Sequence, residues 1–340
     1  QGKYYITQNP PWLSELIPAG SGRFYVVYPP MPAILSMPFR LIFKENFQQQ
    51  YLAHLLGAGI VALTMLSVWA IKRNIKLLIW AGILVAFGNI IWFLSSVGSS
   101  WYLGQITSAF FLTAAIYESL NKKRPFVIGL LLGGAFLSRL QVILSLPFFL
   151  CQLSGKNWFK KYLLTGLGIL PFILSNFYYN FIRFETIFDK AYYLIPGLLS
   201  EPWFSKGLFN VAYVPNNLRV MFASFPKFTN LFPYITPSWA GLAIWITTPA
   251  FIYALFASLK EKIVKYLWIS IFLISLVIFS HGTTGFAQFG YRFAVDFYPL
   301  LFLLVIKSVV KTRLKPVHWI FLLLSVVVNL WGVLWINKFG

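Results

Sequence analysis

Four ionisable residues stand apart from the basic clusters of this apolar chain: Arg23, Arg139, Arg292 and Asp296. A guanidinium group binds phosphate through paired hydrogen bonds and stays charged when it is partly removed from water. Charges at membrane depth are costly and usually functional. If the three arginines converge on one face, they would form a binding site for a phosphate group.

Each of these residues also has a simpler interpretation. The side chains of Arg139 and Arg292 could extend so that their guanidinium groups reach the membrane surface. Arg23 could be a solvated charge in a loop. Asp296 follows Arg292 by four residues, the spacing at which helical side chains pair, so it is either a structural partner or a catalytic acid. His281 is interpreted as a polar contact residue of the site rather than a metal ligand.

The composition requires a membrane environment around these residues. The chain has 340 residues, of which 59% are hydrophobic and 11% charged, and its mean hydropathy is +0.72. Apolar runs of about 20 residues, long enough to cross the hydrocarbon core as helices, recur along the chain. The net charge of +20 fits basic loops that face anionic lipid, and nucleic acid is not expected as a partner. With Cys151 as the single cysteine, no internal disulfide can form.

These runs predict an all-α, polytopic membrane helical bundle with extracytoplasmic loops, forming a single domain over residues 1–340. About ten helices are expected, and one more is expected upstream of Gln1. The parts are a first extracytoplasmic loop at 1–50, a helical core at 51–183, a long extracytoplasmic loop at 184–240 and C-terminal helices at 241–340.

Helix directions follow from the Lys and Arg residues of the short loops, which lie on the cytoplasmic side. This rule places Arg23, Arg139, Arg292 and Asp296 on or near the outer face. The expected spans are 51–71, 77–97, 104–119, two short helices within 125–152 that meet at Ser138 and Arg139, 162–183, 241–259, 266–281, 297–310 and 319–336.

The stretch GRFYVVYPPMPAIL at residues 22–35 precedes the first long apolar run. Its prolines fix φ and hold the chain extended or kinked at the entrance to a helix, so that Tyr25 and Tyr28 would be presented rigidly. Tyrosines here also suit sugar faces or the aromatic belt of the membrane interface. Acidic residues of the outer loops are candidates for proton transfer: Glu15, Glu185, Asp189 and Glu201.

Four segments carry a resemblance to a known family. YPPMPAILSMPF, YLGQITSAFFLTAAIY, IGLLLGGAFLSRLQVILSLPFFL and YRFAVDFYPLLFLL occur in this order. Together they resemble the GT-C integral-membrane glycosyltransferases that use polyprenyl-phosphate sugars. The chain looks most similar to the polyprenol-phosphate-mannose-dependent branch and to the family of protein mannosyltransferases and the lipid A aminoarabinose transferase.

The resemblance implies an inverting transfer of a hexose or pentose at the extracytoplasmic face of a plasma or inner membrane. In the family, an Asp of the first outer loop is the general base, and basic residues hold the lipid phosphate. The expected substrate-binding residues here are Arg23, Tyr25, Tyr28, Arg139, His281, Arg292 and Asp296. Residues 1–14 contain no acid, so the catalytic Asp is expected upstream of Gln1 and the catalytic residue is unknown.

The partners that the resemblance implies are a polyprenyl-phosphate sugar donor, membrane lipid, and a glycan, lipid or protein acceptor. No metal ligands are predicted and no cofactor is named, although a divalent cation stays open. Many protein-mannosyltransferase relatives have Lys or His where this chain has Tyr28, before the two prolines. A transporter or flippase of lipid-linked intermediates and a non-catalytic scaffold are the alternatives.

Overall fold

A computed structural model of the chain describes residues 3–11, 13 and 15–339. Most of these residues are helical, as the sequence predicts, and two small antiparallel sheets are added to the all-α pattern. The sheets pair β1 (Leu16–Pro18) with β2 (Phe24–Val26), and β3 (Lys227–Phe228) with β4 (Ile235–Thr236).

The α-helices, in chain order, are α1 (Met31–Phe43), α2 (Gln49–Ile71), α3 (Ile75–Phe87), α4 (Ile91–Val97), α5 (Ser100–Leu120), α6 (Pro125–Ser138), α7 (Leu146–Leu153), α8 (Trp158–Phe184), α9 (Val214–Ala223), α10 (Ile244–Thr247), α11 (Lys262–Ser280), α12 (Tyr298–Thr312) and α13 (Pro316–Phe339). The 3₁₀ segments are Lys44–Asn46, Leu140–Ser145, Ala191–Tyr193, Leu198–Ser200, Pro202–Phe204, Val211–Tyr213, Pro249–Phe256 and Arg292–Phe297.

Five helices of the described chain are long and apolar enough to cross a membrane, and the bent pair α3 and α4 makes a sixth if it is one span. The chain is therefore a multi-pass membrane protein, but the expectation of about ten spans is too high by this measure. The five spans are Gln49–Ile71, Trp158–Phe184, Lys262–Ser280, Arg292–Thr312 and Pro316–Lys338.

Two predicted helices are broken. The expected span 77–97 bends by 49° between α3 and α4, where the Asn89 amide donates to the carbonyl oxygens of Leu84 and Val85 and accepts from the Ile91 backbone N–H. One side chain thus caps both helices. The expected span 241–259 is split into α10 and the 3₁₀ segment Pro249–Phe256, because the proline disfavours helical backbone at the residue before it.

The predicted break within 125–152 is confirmed. α6 ends at Ser138, Arg139 has extended backbone with φ −151° and ψ 103°, and the 3₁₀ segment Leu140–Ser145 leads into α7. α6 also packs directly on α8. A Cβ atom at Gly129 would overlap the backbone carbonyl oxygen of Thr165, so the two helices approach without side chains between them.

α5 is the central helix of the bundle. It is 21 residues long and most of its residues are buried against α2, α6, α12 and the segment Arg292–Phe297. Its buried polar side chains, such as Gln105, Thr107 and Ser108, make hydrogen bonds to backbone carbonyl groups. Because these groups are satisfied inside the protein, α5 does not need a uniformly apolar surface.

The expected loops are partly structured. The β1–β2 hairpin packs on residues after α8 through a small apolar cluster made of Ile17, Val27, Ala191 and Ile195. The Arg183 guanidinium fixes this arrangement by donating to the Val26 carbonyl oxygen at 3.0 Å. After β2, the chain enters α1, which begins after Pro30 and carries Pro32 in its first turn.

A backbone contact joins the start of the C-terminal region to the loop before Arg292. The Leu242 N–H donates to the Phe289 carbonyl oxygen at 2.9 Å, and the Tyr291 N–H donates to the Leu242 carbonyl oxygen at 3.0 Å. Gly241 has φ +90°, and a Cβ there would lie 2.8 Å from the carbonyl carbon of Gly290. Glycine is required at Gly241 by both its conformation and this close approach.

Candidate functional site

A cavity of about 370 Å³ opens at one end of the helical bundle. Its walls come from the N-terminal ends of α5 and the Arg292–Phe297 segment, the C-terminal ends of α6 and α11, the segment before α1, and residues between α8 and α9. The titratable and amide side chains that line it are Glu15, Tyr28, Arg139, Gln141, Asp189, Tyr192, Tyr193, Glu201, His281 and Arg292.

The cavity lies at the end of the bundle away from the basic turns. Arg139 follows the last residue of α6, His281 follows the last residue of α11, and Arg292 precedes α12. The opposite ends of the same helices adjoin runs of Lys and Arg. These runs are Lys122, Lys123 and Arg124 before α6; Lys260, Lys262 and Lys265 at the start of α11; and Lys311, Arg313 and Lys315 at the end of α12.

Arg139 is held by a buried carboxylate. Its Nη2 donates to Asp296 Oδ2 at 3.0 Å, and its Nε lies 3.2 Å from both Asp296 oxygens. The Gln141 amide donates to the same carboxylate at 2.6 Å. The Asp296 side chain is fully buried, whereas that of Arg139 is 25% exposed, so the carboxylate supports the arginine from behind the cavity wall.

The Asp296 contacts correct the expected pairing. Asp296 pairs with Arg139, 157 positions earlier, and not with Arg292 at the helical spacing of four. The backbone over Arg292–Phe297 is 3₁₀, in which residues three apart align and residues four apart diverge by about 120°. The expected α-helical geometry is therefore absent at these residues.

Arg292 has a different environment, although it lines the same cavity. Only 7% of the residue is exposed, and no ion pair to it occurs among the described residues. Its Nη1 donates to Gln105 Oε1 at 3.3 Å, a weak contact, and its Nε has no hydrogen-bond partner. Leaving a buried charged group unpaired is unfavourable, so the site is suited to an anion that would complete it.

Aromatic rings surround the Arg292 guanidinium. Its central carbon lies 5.0 Å from the ring centroid of Phe293, 5.7 Å from that of Tyr102 and 5.9 Å from that of Trp101. Cation–π attraction offsets part of the cost of burying the charge without neutralising it. The Gln105 amide also donates to the Arg292 carbonyl oxygen at 2.8 Å, which fixes the backbone of this residue.

Trp101 connects Arg292 to an acidic part of the cavity. The indole N–H of Trp101 donates to Glu15 Oε2 at 2.8 Å, and the Tyr28 ring meets the Trp101 ring edge to face. Burial and the nearby Glu15 carboxylate raise the pKa of the Tyr28 hydroxyl above its ordinary value. Burial likewise raises the pKa of Tyr192, so both phenols stay protonated at neutral pH and can act as hydrogen-bond donors.

His281 lies on the same cavity between aromatic rings. Its ring centroid is 5.4 Å from that of Phe209, 5.6 Å from that of Phe293 and 5.8 Å from that of Phe204. Burial is the main cause that lowers the pKa of His281 to about 4, and Arg139 and Arg292 lower it further. The imidazole is therefore neutral at physiological pH and adds no positive charge to the cavity.

The structure brings together some of the predicted binding residues and separates others. Tyr28, Arg139, His281 and Arg292 line the cavity, and Asp296 lies directly behind Arg139. Arg23 and Tyr25 do not line the cavity. The Arg23 side chain is exposed, with its guanidinium 4.6 Å from the Tyr5 ring centroid, and the Tyr25 ring packs on Phe184.

Arg23 and Tyr25 are therefore not brought together with the other predicted substrate-binding residues. In the β2 strand, Phe24 and Tyr25 lead the chain towards the cavity, and the first lining residues after them are Val27 and Tyr28. The reversal of the hairpin at Gly20 and Gly22 leaves Arg23 on the outside. Neither fact is visible in the spacing of the residues.

Trp101, Gln105 and Gln141 are among the residues of the site that were not singled out from the sequence. Gln105 is an amide within an apolar run, and Gln141 is two positions after Arg139. Each offered a weak signal, because an amide in a membrane helix needs an internal partner. Trp101 could not be told from an interfacial tryptophan.

The candidate proton-transfer residues separate in the same way. Glu15, Asp189 and Glu201 line the cavity, whereas Glu185 does not. Within the part of the chain that the structure describes, no group of three or more His, Cys, Asp or Glu side chains could hold a metal ion. The arrangement can thus bind an anion at Arg292 and offers carboxylates beside it.

Comparison with known proteins finds no matching family model, no matching curated protein and no matching solved structure.

Proposed function

We propose that the chain is a membrane glycosyltransferase that takes a sugar from a polyprenyl-phosphate donor and transfers it to an acceptor at the extracytoplasmic face. The observation that carries this proposal is Arg292, a buried guanidinium that lines the cavity with no ion-pair partner among the described residues. A phosphate group would supply the missing anion.

The position of the cavity supports the choice of a lipid-linked phosphate. The cavity lies at the ends of membrane-spanning helices, opposite the Lys-rich and Arg-rich turns, which the positive-inside rule assigns to the cytoplasm. A donor anchored in the outer leaflet could bring its phosphate to this level while its prenyl chain stays in the lipid. The resemblance of four segments to the GT-C enzymes supports the same assignment.

The chemistry follows from the charges on the cavity wall. An acceptor hydroxyl attacks the anomeric carbon, the bond from that carbon to the phosphate oxygen breaks, and the hydroxyl proton passes to a carboxylate. Negative charge grows on the departing polyprenyl phosphate, where a fixed cation such as Arg292 is most effective. Glu15, Asp189 and Glu201 line the cavity and are the described carboxylates that an acceptor could meet there.

Phosphate binding can be measured without knowing the sugar or the acceptor. The purified chain in micelles is heated with farnesyl phosphate or with farnesol, which has the same chain and no phosphate. Farnesyl phosphate is expected to raise the unfolding temperature of the unmodified protein, whereas farnesol is not. The Arg292→Ala variant should lose this response, and Arg23→Ala should keep it because Arg23 lies outside the cavity.

Transfer is then measured with polyprenyl-phosphate mannose and polyprenyl-phosphate aminoarabinose, each labelled in the sugar, and a membrane extract as the source of acceptors. Removing a hydrogen-bond donor that stabilises transition-state charge lowers the rate of catalysis by about 100-fold to 1000-fold. We expect Arg292→Ala to lower the rate of sugar transfer by a similar factor. Unchanged transfer in Arg292→Ala would reject the role given to this residue. Lipid flipping in proteoliposomes without transfer would favour a flippase.

A further inference from the structure

The segment between α9 and α10 exposes an unusual amount of apolar surface. Residues 225–239 include the β3–β4 hairpin and contain a single charged residue, Lys227. We call residues 225–239 the aromatic hairpin. Its exposed apolar residues are Phe225 (55%), Phe228 (82%), Leu231 (79%), Phe232 (73%), Tyr234 (58%), Ile235 (40%) and Trp239 (69%).

Such a surface is unfavourable in water. A contiguous apolar patch on a protein marks a binding surface or a contact with lipid. The sequence alone placed residues 184–240 in a long extracytoplasmic loop, and the aromatic hairpin lies within that range. Its side chains are not those expected of a segment that is surrounded by water.

The backbone of the aromatic hairpin is partly satisfied internally. β3 pairs with β4, the Thr229 N–H donates to the Tyr234 carbonyl oxygen at 2.8 Å, and the Tyr234 N–H donates to the Leu231 carbonyl oxygen at 2.8 Å. The Thr229 hydroxyl donates to the Leu231 carbonyl oxygen as well. Internal hydrogen bonds lower the cost of moving a turn from water towards lipid.

The aromatic hairpin continues a surface that already faces lipid. A cleft joins Phe232 and Pro233 to the last turns of the membrane helix α13, through Trp331, Leu334 and Lys338. Earlier turns of α13 expose Leu323 (63%), Val327 (55%) and Leu330 (43%), as expected for side chains in contact with acyl chains. The apolar surface is thus continuous from a membrane-spanning helix to the hairpin.

The polar groups at this level fit a membrane interface. Lys227 on the hairpin and Lys338 on α13 are cations on stems that can reach lipid phosphates, and aromatic rings are enriched at the same depth. α13 begins directly after the basic turn at residues 311–315, and its last turns lie at the opposite end of the span. The cavity also lies opposite the basic turns, so the hairpin is at the leaflet on the cavity side.

We propose that the aromatic hairpin lies in the head-group region of the lipid leaflet on the cavity side, with Phe228 and Leu231 inserted towards the acyl chains. The partner is the lipid bilayer itself, and the hairpin forms a second membrane attachment beside the spanning helices. This inference is independent of the proposed transferase activity.

The test uses single-cysteine variants in a Cys151→Ser background, because Cys151 is the single cysteine of the chain. Phe228→Cys and Leu231→Cys report on the hairpin. Val327→Cys in the middle of α13, on its lipid-facing side, is the membrane control, and Lys206→Cys on an exposed turn is the water control. Each variant is labelled with an environment-sensitive fluorophore and reconstituted into phosphatidylcholine vesicles.

Labels at Phe228→Cys and Leu231→Cys are expected to emit at shorter wavelength than the label at Lys206→Cys. Lipids with a nitroxide near the head group should quench them more strongly than lipids with a nitroxide near the chain end. The label at Val327→Cys should show the reverse preference because it lies at the middle of the spanning helix. Thermal unfolding of each labelled protein confirms that the exposed substitutions leave the fold intact.

Two results would overturn the proposal. Emission and quenching at Phe228→Cys and Leu231→Cys that match Lys206→Cys would place the hairpin in water. Short-wavelength emission that no lipid nitroxide quenches would place it against protein, as in contact with a second copy of the chain.

Discussion

The two segments that carry Arg139 and Arg292 are built alike and end in different electrostatic states. Each arginine lies at a break in helical structure and is followed by a 3₁₀ segment, over Leu140–Ser145 or within Arg292–Phe297. Each segment then enters an α-helix with a proline in its first turn. The shared design places both guanidinium groups on the wall of one cavity.

The difference lies in the partner of each arginine. Asp296 belongs to the second segment, yet its carboxylate neutralises the arginine of the first. Arg292, on the same segment as Asp296, lies among aromatic rings and has no ion pair within the part of the chain that the structure describes. One buried carboxylate thus distinguishes Arg139, which it pairs with, from Arg292, which has no ion pair among the described residues. Substitution of each arginine tests this difference, and titration of His281 tests the environment that the two arginines share with it.

The largest effect is expected from Arg139→Met. Among the described residues, this change leaves the fully buried Asp296 carboxylate with the Gln141 amide as its remaining side-chain hydrogen-bond donor. Breaking a buried ion pair at one partner typically costs about 3–5 kcal/mol of unfolding free energy. Denaturant unfolding in micelles measures the loss. Arg40→Met is the matched control, because Arg40 pairs with Glu45 on the surface and should lose less than about 1 kcal/mol. Equal losses would contradict the asymmetry.

A somewhat smaller effect is expected from acidification at His281. The folded protein holds the pKa of His281 at about 4, below its ordinary value of 6.5, so the unfolded chain binds a proton first as the pH falls. The stability that the neutral ring contributes is complete above pH 6.5 and is lost as the pH falls through 4, by about 3 kcal/mol in total.

The measurement for His281 is the difference in unfolding free energy between the unmodified protein and His281→Asn across this pH range. The difference removes the contribution of carboxylates that titrate in both proteins. A difference that stays constant from pH 7 to pH 4, about 3 units, would contradict the lowered pKa.

The smallest effect, of opposite sign, is expected from Arg292→Met. Replacing an uncompensated buried charge with an apolar side chain of similar length should raise the unfolding free energy of the ligand-free protein by about 1–2 kcal/mol. The same unfolding measurement compares it with Arg139→Met. If both variants were destabilised to the same extent, Arg292 would be a structural residue like Arg139, and the distinction between the two segments would fail.

Sequence patterns predicted the multi-pass helical bundle and the break at Arg139, because apolar length and an interrupting charge are local features. They did not predict the split at Pro249 or the bend at Asn89. A broken membrane segment is as apolar as a continuous one, so hydropathy does not distinguish them. The split at Pro249 accounts for one expected span that is not counted, whereas the bent pair α3 and α4 still counts as one span in the total of six.

The partner of Asp296 could not be predicted either. A spacing of four residues suggested Arg292, but that inference assumes an α-helix where the backbone is 3₁₀. The actual partner is distant in the sequence, and packing of the Leu140–Ser145 segment against the Arg292–Phe297 segment brings it close. Arg23 lies outside the cavity because of the turn between β1 and β2, and the spacing of residues in the sequence does not reveal that turn.

The direct contact between Gly241 and Gly290 has a mechanical consequence. No side chain separates the backbone at Gly241, just after the aromatic hairpin, from the backbone at Gly290 in the loop before Arg292, so a displacement of one would move the other. If the aromatic hairpin lies in the head-group region of the leaflet on the cavity side, the thickness and lateral pressure of the bilayer would affect the position of Arg292 along the membrane normal. Lipid composition would then influence where a buried arginine lies within the cavity wall.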